Sequence, residues 1–428
     1  MEAVELAREE EFKEMGADPE IYEKLVKAIA PGIWGHDDIK KGLLCQLFGG
    51  TNNEQGAGHG RFRGEINVLL CGDPGTAKSQ LLQVIHKLAP RGIYTSGKGS
   101  SAVGLTAYVT KDPITKEHVL ESGALVLSDR GICCIDEFDK MSDATRSILH
   151  EVMEQQTVSI AKAGIVCSLN ARTSILASAN PIESRYNPSI SITKNIALGP
   201  TLLSRFDLIY LVLDQPNKTS DARLARHLVA MYAENYENKE QNLIPLEKLT
   251  RYISYTRRTC HPEITDESAN MLVQAYVDMR KAGAGTKVIT ATPRQLESCI
   301  RLSEARARIR LSPVVEPEDV AEACRLMQVA TLAAATDPKT GKIDMNLITT
   351  GQGAIDRNFL DGLKEGVLTY FESKRTSSSL DKLVRDLNEA NDNSVAIVPA
   401  VMREACEELR REGILRLQQK GEVYSLVN

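Results

Sequence analysis

The chain of 428 residues has no uninterrupted apolar run near the ~18 residues that a membrane-crossing helix needs, so no membrane partner is expected. Its acidic start, residues 1 to 14, lacks the basic-then-apolar layout of a secretory leader, and the protein is expected to work inside a cell. Nine cysteines are odd in number and contain no Cys-x-x-Cys, which speaks against both a disulfide framework and a zinc site. Reduced, buried thiols are the expectation. There is no basic excess either: 52 Lys and Arg against 57 Asp and Glu leave a net charge of −5, so any contact with nucleic acid must come from local patches. What is present is ordinary. Apolar residues at 42% and charged residues at 25% exclude collagen-like, low-complexity and wholly disordered chains, and the length suggests roughly three domains at about 150 residues each.

Residues 1–60 read as a helical connector, with Ile21, Leu25, Val26 and Ile29 at helical spacing and a Gly-rich loop from Asn52 to Gly60. The pattern then changes. Short apolar runs at 66–71, 131–135, 174–178 and 208–213 alternate with helical segments, the mark of buried parallel strands in an α/β layer structure whose ligands bind at the strands' carboxyl ends. This core is taken as residues 61–215. Residues 216–335 read as a helical domain, with helices expected at 246–257, 266–282, 293–310 and 317–334 and no strand between them. A linker at 336–354 leads to residues 355–428, where three helices and a hairpin turning at Gln419-Lys420-Gly421 predict a winged helix.

The run ending at Cys71 leads into Gly72-Asp73-Pro74-Gly75-Thr76-Ala77-Lys78-Ser79, and a helix is expected from Gln80. This is a phosphate-binding loop in its strand-to-helix context. Its backbone amides and the helix dipole face phosphate, Lys78 reaches the β and γ phosphates, and Ser79 is a magnesium ligand. ATP and Mg²⁺ are therefore the expected cofactors. Ala77 stands where the general pattern has a second glycine, which is tolerable if φ there stays negative. About sixty residues on, the strand Gly131–Ile135 ends in Asp136-Glu137. Asp136 is suited to the magnesium hydration shell, and Glu137 to orienting and deprotonating the attacking water.

To these add Phe138-Asp139-Lys140-Met141, Ala177-Ser178-Ala179-Asn180-Pro181 and Leu203-Ser204-Arg205-Phe206-Asp207. The combination resembles the minichromosome maintenance (MCM) branch of the AAA+ ATPases from about Ala30 to Leu311. Within it, residues 41–51 and Glu151-Val152-Met153-Glu154-Gln155-Gln156 look most like the fourth paralogue of the eukaryotic heterohexamer. The resemblance implies an AAA+ core with a helical lid, and the ATP-driven motor of the nuclear replicative helicase, loaded when origins are licensed. It implies other MCM paralogues, DNA in a central channel and helicase-activating factors as partners. Asn180 then matches the first sensor, Arg205 the arginine finger and Arg294 the second sensor, the two arginines acting on a neighbour's site. Glu297, one turn beyond Arg294, is placed to position that guanidinium or meet the nucleotide, with ordinary pairing along the helix an equal alternative. Trp34 matches the residue lining the adenine, where the family typically has Tyr. The candidate nucleotide set is Trp34, Gly72 to Gln80, Asn180, Arg205, Arg294 and Glu297. His59 occupies a position where some relatives have Arg, and a loop histidine is the preferred reading.

Two hairpins interrupt the alternating pattern. Residues 158–161 and 165–169 flank Lys162-Ala163-Gly164 and resemble the family's pre-sensor hairpin, which puts Lys162 against a DNA backbone phosphate. The second, 106–109 and 118–121, resembles the insert in the family's second helix. A ring concentrates several such basic tips in one channel, so an acidic chain can still hold DNA. Family members carry an oligonucleotide-binding half ahead of the ATPase, and this chain begins shortly before the ATPase, as either a fragment or a truncated gene. Two other readings remain: a nucleotide-binding scaffold with little turnover, and another hairpin-bearing AAA+ machine such as a metal chelatase or transcriptional activator.

Overall fold

The computed structural model describes residues 2–52, 63–111, 118–162, 165–182, 185–187, 195–196, 198–214, 218–231, 244–281, 292–335, 363–364, 366–371, 378–390, 399–411, 414–418 and 423–426. The chain divides into two units, Met1–Gly351 and Gln352–Asn428. His59 and the turn at 419–421 lie outside the described residues. Among those described, no helix is long and apolar enough to cross a membrane.

The first unit is built on a five-stranded sheet: β1 (Val68–Gly72), β2 (Ile93–Ser96), β5 (Ile132–Asp136), β8 (Ser174–Ala179) and β9 (Leu208–Val212) in the order β2-β5-β8-β1-β9. Every pairing in it is parallel. Side chains alternate between two cores, as the two-residue strand period requires. Val68, Leu70, Ile132, Cys134, Leu176, Leu208 and Tyr210 enter one. Leu69, Cys71, Cys133, Ile135, Ile175, Ala177 and Ile209 enter the other. Strands buried on both faces need continuous apolar runs, which is why four of the five could be read directly. The exception is β2, Ile-Tyr-Thr-Ser, half-exposed along its length at the sheet edge. It is too short and polar to give a signal.

On the first face pack the helices Ile21–Ile29, Asp37–Phe48 and Lys78–Leu88, together with residues of Leu246–Thr259, Pro293–Ile309 and Pro317–Ala335. The second face is covered by Asp143–Gln155 and by residues of the hairpin β6 (Thr157–Lys162) and β7 (Ile165–Asn170). The other expected hairpin is formed by β3 (Ala107–Lys111) and β4 (His118–Ser122). The helical region is not strand-free: β10 (Glu263–Ile264) and β11 (Val314–Val315) pair in parallel over two residues each. So brief a pairing carries no periodicity to read.

In the second unit, helical residues 363–364 and 366–371 precede the helices Leu380–Ala390 and Pro399–Arg411. The strands β12 (Ser378–Ser379), β13 (Leu415–Gln418) and β14 (Val423–Leu426) form an antiparallel sheet in the order β12-β14-β13. Its core gathers Val367, Phe371, Leu383, Met402, Cys406, Leu409 and Leu415.

Candidate active site

Strands β1, β5 and β8 are neighbours, so the segments leaving their carboxyl ends meet: Asp73–Ala77 after β1, Glu137 after β5 and Asn180 after β8. That is the crevice where open α/β sheets bind ligands. Gly72, at φ +146°, passes so close to β9 that an added Cβ would lie 1.9 Å from the Val212 carbonyl oxygen. Only glycine fits. Gly75, at φ +85°, faces open space, leaving its backbone free to be approached by phosphate. Ala77 is a correction: its φ is +61°, left-handed and not negative, directly before the helix Lys78–Leu88. The loop has to turn its amides inward before that helix starts, and a left-handed residue beside right-handed ones makes such an anion-facing concavity. The loop's shape therefore prevails over the alanine's preference.

Asp73 braces this loop. Its two carboxylate oxygens accept the amides of Tyr186 at 2.8 Å and Asp214 at 3.2 Å, so its side chain shapes the cradle and leaves phosphate to the backbone. Lys78 donates to the carbonyls of Gly72 at 2.8 Å and Asp73 at 2.5 Å. Burial holds its ammonium below the ordinary lysine value, and an arriving anion would relieve that cost.

Asp136 accepts hydrogen bonds from Ser178, from Tyr94 at 2.8 Å and from the Glu137 amide at 3.0 Å, with Ser79 a further donor. Burial alone would raise its carboxyl, but these donors outweigh it and hold the group below its ordinary value. A hydroxyl and an ionised carboxylate side by side fit a magnesium ion that keeps most of its waters. Glu137 is left-handed at φ +50° and pairs with Lys140 at 2.7 Å. Asn180 is half-buried, its amide held by Asp139 at 3.0 Å. Trp34 is 42% exposed, and its ring lies 5.2 Å from that of His227 on the helix Lys218–Met231.

Arg205 and Arg294 belong to a different place. Arg205 precedes β9, whose start pairs with the start of β1 (Val68 with Leu208). It therefore sits at the amino-terminal end of a sheet whose carboxyl-terminal end carries the phosphate loop. The five residues of β9 span roughly 16 Å at about 3.3 Å each, too far for one side chain to bridge. Arg294, on the helix Pro293–Ile309, comes to the same end. Pro293 opens that helix, and Thr292 and Gln295 close a reciprocal cap before it. Both arginines contact Glu154.

Asp207 makes that meeting possible, and the sequence did not reveal it. Buried at the head of β9, it accepts from the Asn67 amide at 2.8 Å, Arg301 at 2.5 Å, Ser298 at 2.5 Å and Arg63 at 3.4 Å. Arg294, Ser298 and Arg301 share one helix face at spacings of four and three, so docking Arg301 and Ser298 on Asp207 carries Arg294 to Arg205. The signal in the sequence is the Arg-Phe-Asp run at 205–207, in which the aspartate follows the finger arginine by two residues. Glu297 takes the ordinary helix-pairing alternative. It pairs with Arg301 at 3.0 Å, one turn further on, and the carboxylate that meets Arg294 is Glu154.

Burial alone would push the Asp207 carboxyl up, but Arg301, Arg63 and its other donors prevail and hold it low. Its stabilising contribution is thus complete above the ordinary carboxylate range near about 4 and fades as pH falls through the lower folded-state value. Asp207→Asn should cost about 3 kcal/mol in urea unfolding at pH 7, because it removes the buried charge facing Arg301 and Arg63 and leaves Arg301 only the exposed Glu297. Unchanged stability there would show that the network is incidental.

Around these arginines is a cavity of about 630 Å³, whose charged lining is Arg63, Arg205, Arg294, Arg301, Glu154, Glu297 and Glu304. Burial pushes Glu304 up to about 7, while Glu154 and Glu297 are paired with the arginines. Lys162 ends β6 and pairs with Ile165 across the hairpin; residues 163–164 lie outside the described set.

The chain is similar to known proteins along most of its length. The MCM P-loop domain matches residues 8–232 and the MCM AAA-lid domain residues 247–331. DNA replication licensing factor MCM4 of Arabidopsis thaliana is 58% identical over 425 residues, covering 97% of this chain and 50% of that protein. Its namesake in Xenopus tropicalis is 53% identical, over 96% of this chain and 48% of that protein. DNA replication licensing factor mcm7-A of Xenopus laevis is 51% identical, over 75% and 44%. The chain spans about half the length of the curated relatives it matches, and the resemblance to the fourth paralogue is borne out. With a family model covering its nucleotide-binding core and another its lid, the chain belongs to the minichromosome maintenance (MCM) family of P-loop ATPases.

Proposed function

We propose that this chain is the ATP-hydrolysing motor of a subunit of the hexameric replicative DNA helicase, acting in origin licensing and fork unwinding, with its active sites at subunit interfaces. The observation that carries the reading is the division of the site between the two ends of the sheet. Lys78, Ser79, Asp136, Glu137 and Asn180 gather at the carboxyl ends, and Arg205 and Arg294 at the amino-terminal end of β9. A site so divided is complete only when one chain's arginines meet the next chain's phosphate loop. That supports ring assembly, and the names of the relatives point to other MCM paralogues as the neighbours.

In this reading the loop amides and Lys78 hold the β and γ phosphates, and Ser79 and Asp136 hold Mg²⁺, which supplies charge neutralisation on the phosphate oxygens when bound. Glu137 leaves Lys140, orients the attacking water and accepts its proton, and Asn180 hydrogen-bonds the water or the γ-phosphate. Trp34 offers a flat, half-open ring to the adenine, and the arginines of the adjoining chain take up charge developing on the transferring group. Residues 61–215 form the ATPase core, 216–335 the lid, and 336–354 the linker. The helices and antiparallel strands of residues 355–428 support a winged helix. DNA in the channel, helicase-activating replication factors and a nuclear location follow from the same reading.

A second reading, a nucleotide-binding scaffold with weak turnover, is favoured by the ion pair that holds Glu137 on Lys140. Turnover decides between them. The full-length protein should hydrolyse ATP poorly alone and rapidly once mixed with its paralogues, with electron microscopy showing rings. Assembled rings that bind ATP without turnover would favour the scaffold. In the active ring, Lys162→Ala should weaken DNA binding and unwinding severalfold and leave basal hydrolysis within about twofold, since a phosphate contact carries affinity. Unchanged unwinding would return Lys162 to an ordinary solvated turn.

A further inference from the structure

Glu154 holds both arginines. Its Oε2 accepts from Arg205 through Nε at 3.1 Å and through Nη2, and its Oε1 accepts from Arg294 Nη2 at 3.5 Å. Arg205 is fixed on its remaining side by the Thr201 carbonyl at 2.9 Å and by His150, whose Nδ1 lies 2.7 Å from Nη1. Ser204 accepts from Arg294 Nη1 at 3.2 Å. His150 and Glu154 are four residues apart on the helix Asp143–Gln155, hence on one face of it. Two guanidiniums from distant parts of the chain are thereby tied to one short stretch of a third element.

Stability does not account for this arrangement. The Glu154 side chain is 51% exposed, that of Arg294 45% and that of Arg205 17%; a carboxylate so open to water adds little to folding through either pair. Two guanidiniums brought together at the rim of this cavity would repel each other and spread among rotamers without a carboxylate between them. One carboxylate shared by two cations leaves a net positive charge and a fixed geometry, the conditions under which an incoming phosphate gains most from both.

We propose that Glu154 is a positioning residue that holds Arg205 and Arg294 as one pair facing the phosphate of a neighbouring chain, a role that rests on the ring-interface reading above. Glu154 touches no substrate; it acts through the arginines. Its removal therefore slows the chemical step more than it weakens ATP binding, which the neighbour's phosphate loop supplies.

The test uses the full-length protein in its assembled ring, with Glu154→Gln and Glu154→Ala. The kcat of the site served by this face should fall by about tenfold to a hundredfold, the cost of a misplaced group of this kind, while KM for ATP stays within about threefold. Glu154→Gln keeps the shape and an acceptor oxygen, so it should lose less than Glu154→Ala. Introducing Glu154→Ala into the double variant Arg205→Ala, Arg294→Ala should add no further loss, because both groups it positions are already gone. An unchanged or raised kcat, or a further loss in the double Arg205→Ala, Arg294→Ala background, would overturn the positioning role while leaving the ring interface intact. If Arg205→Ala alone leaves turnover unchanged, the ring-interface reading fails and this role falls with it.

Discussion

Arg205→Ala is expected to reduce ATP turnover at the adjoining subunit's site by on the order of 10³ or more, the usual cost of losing an arginine finger, and to spare nucleotide binding at its own Lys78. The geometry sets the direction. Arg205 lies at the head of β9, and the phosphate loop follows the opposite end of β1, its parallel neighbour. Lys78→Ala should do the reverse, losing its own nucleotide and still donating Arg205 to the next chain. Combining the two variants in an assembly that offers both interface orders should restore one competent pairing, with Glu137 from the Arg205→Ala chain and Arg205 from the Lys78→Ala chain. Turnover by the mixture, measured against each variant alone, checks this. Hydrolysis by an isolated monomer that Arg205→Ala destroys would mean that the arginine serves its own chain.

Glu137→Gln should retain ATP binding and lose about 10² to 10⁴ in hydrolysis in the assembled ring, since the amide cannot accept the water's proton. The same change removes the charge that Lys140 meets at 2.7 Å, an exposed pair whose loss costs little stability. Equilibrium nucleotide binding alongside single-turnover hydrolysis separates the two effects. Wild-type turnover in this variant would remove Glu137 from the chemistry, and reduced ATP affinity would assign it to binding.

Much of the phosphate half of the site was legible in the chain because its chemistry is local. Gly72 to Ser79 forms one turn between a strand and a helix, and Asp136-Glu137 ends another buried strand; contiguous residues and apolar runs record both. Four strands of the sheet could be read for the same reason, each being buried on both faces, and β2 could not because it lies half-exposed at the edge. The negative φ that the Ala77 side chain prefers is not adopted, since that preference is weaker than the demand of the closed loop around it.

The arginine half was decided elsewhere. Arg205 and Arg294 were picked out singly by resemblance, but their meeting depends on residues far apart in the chain: Asp207 anchoring Ser298 and Arg301, and Glu154 holding both guanidiniums. No spacing rule links positions 154, 205 and 294. By itself the sequence determined the strands buried on both faces, the helices with one apolar face and the phosphate loop, because each rests on neighbours within a few residues. Only the tertiary structure decided which carboxylate each arginine meets and which end of the sheet the pair occupies, because long-range ion pairs are chosen by how helices dock on the sheet.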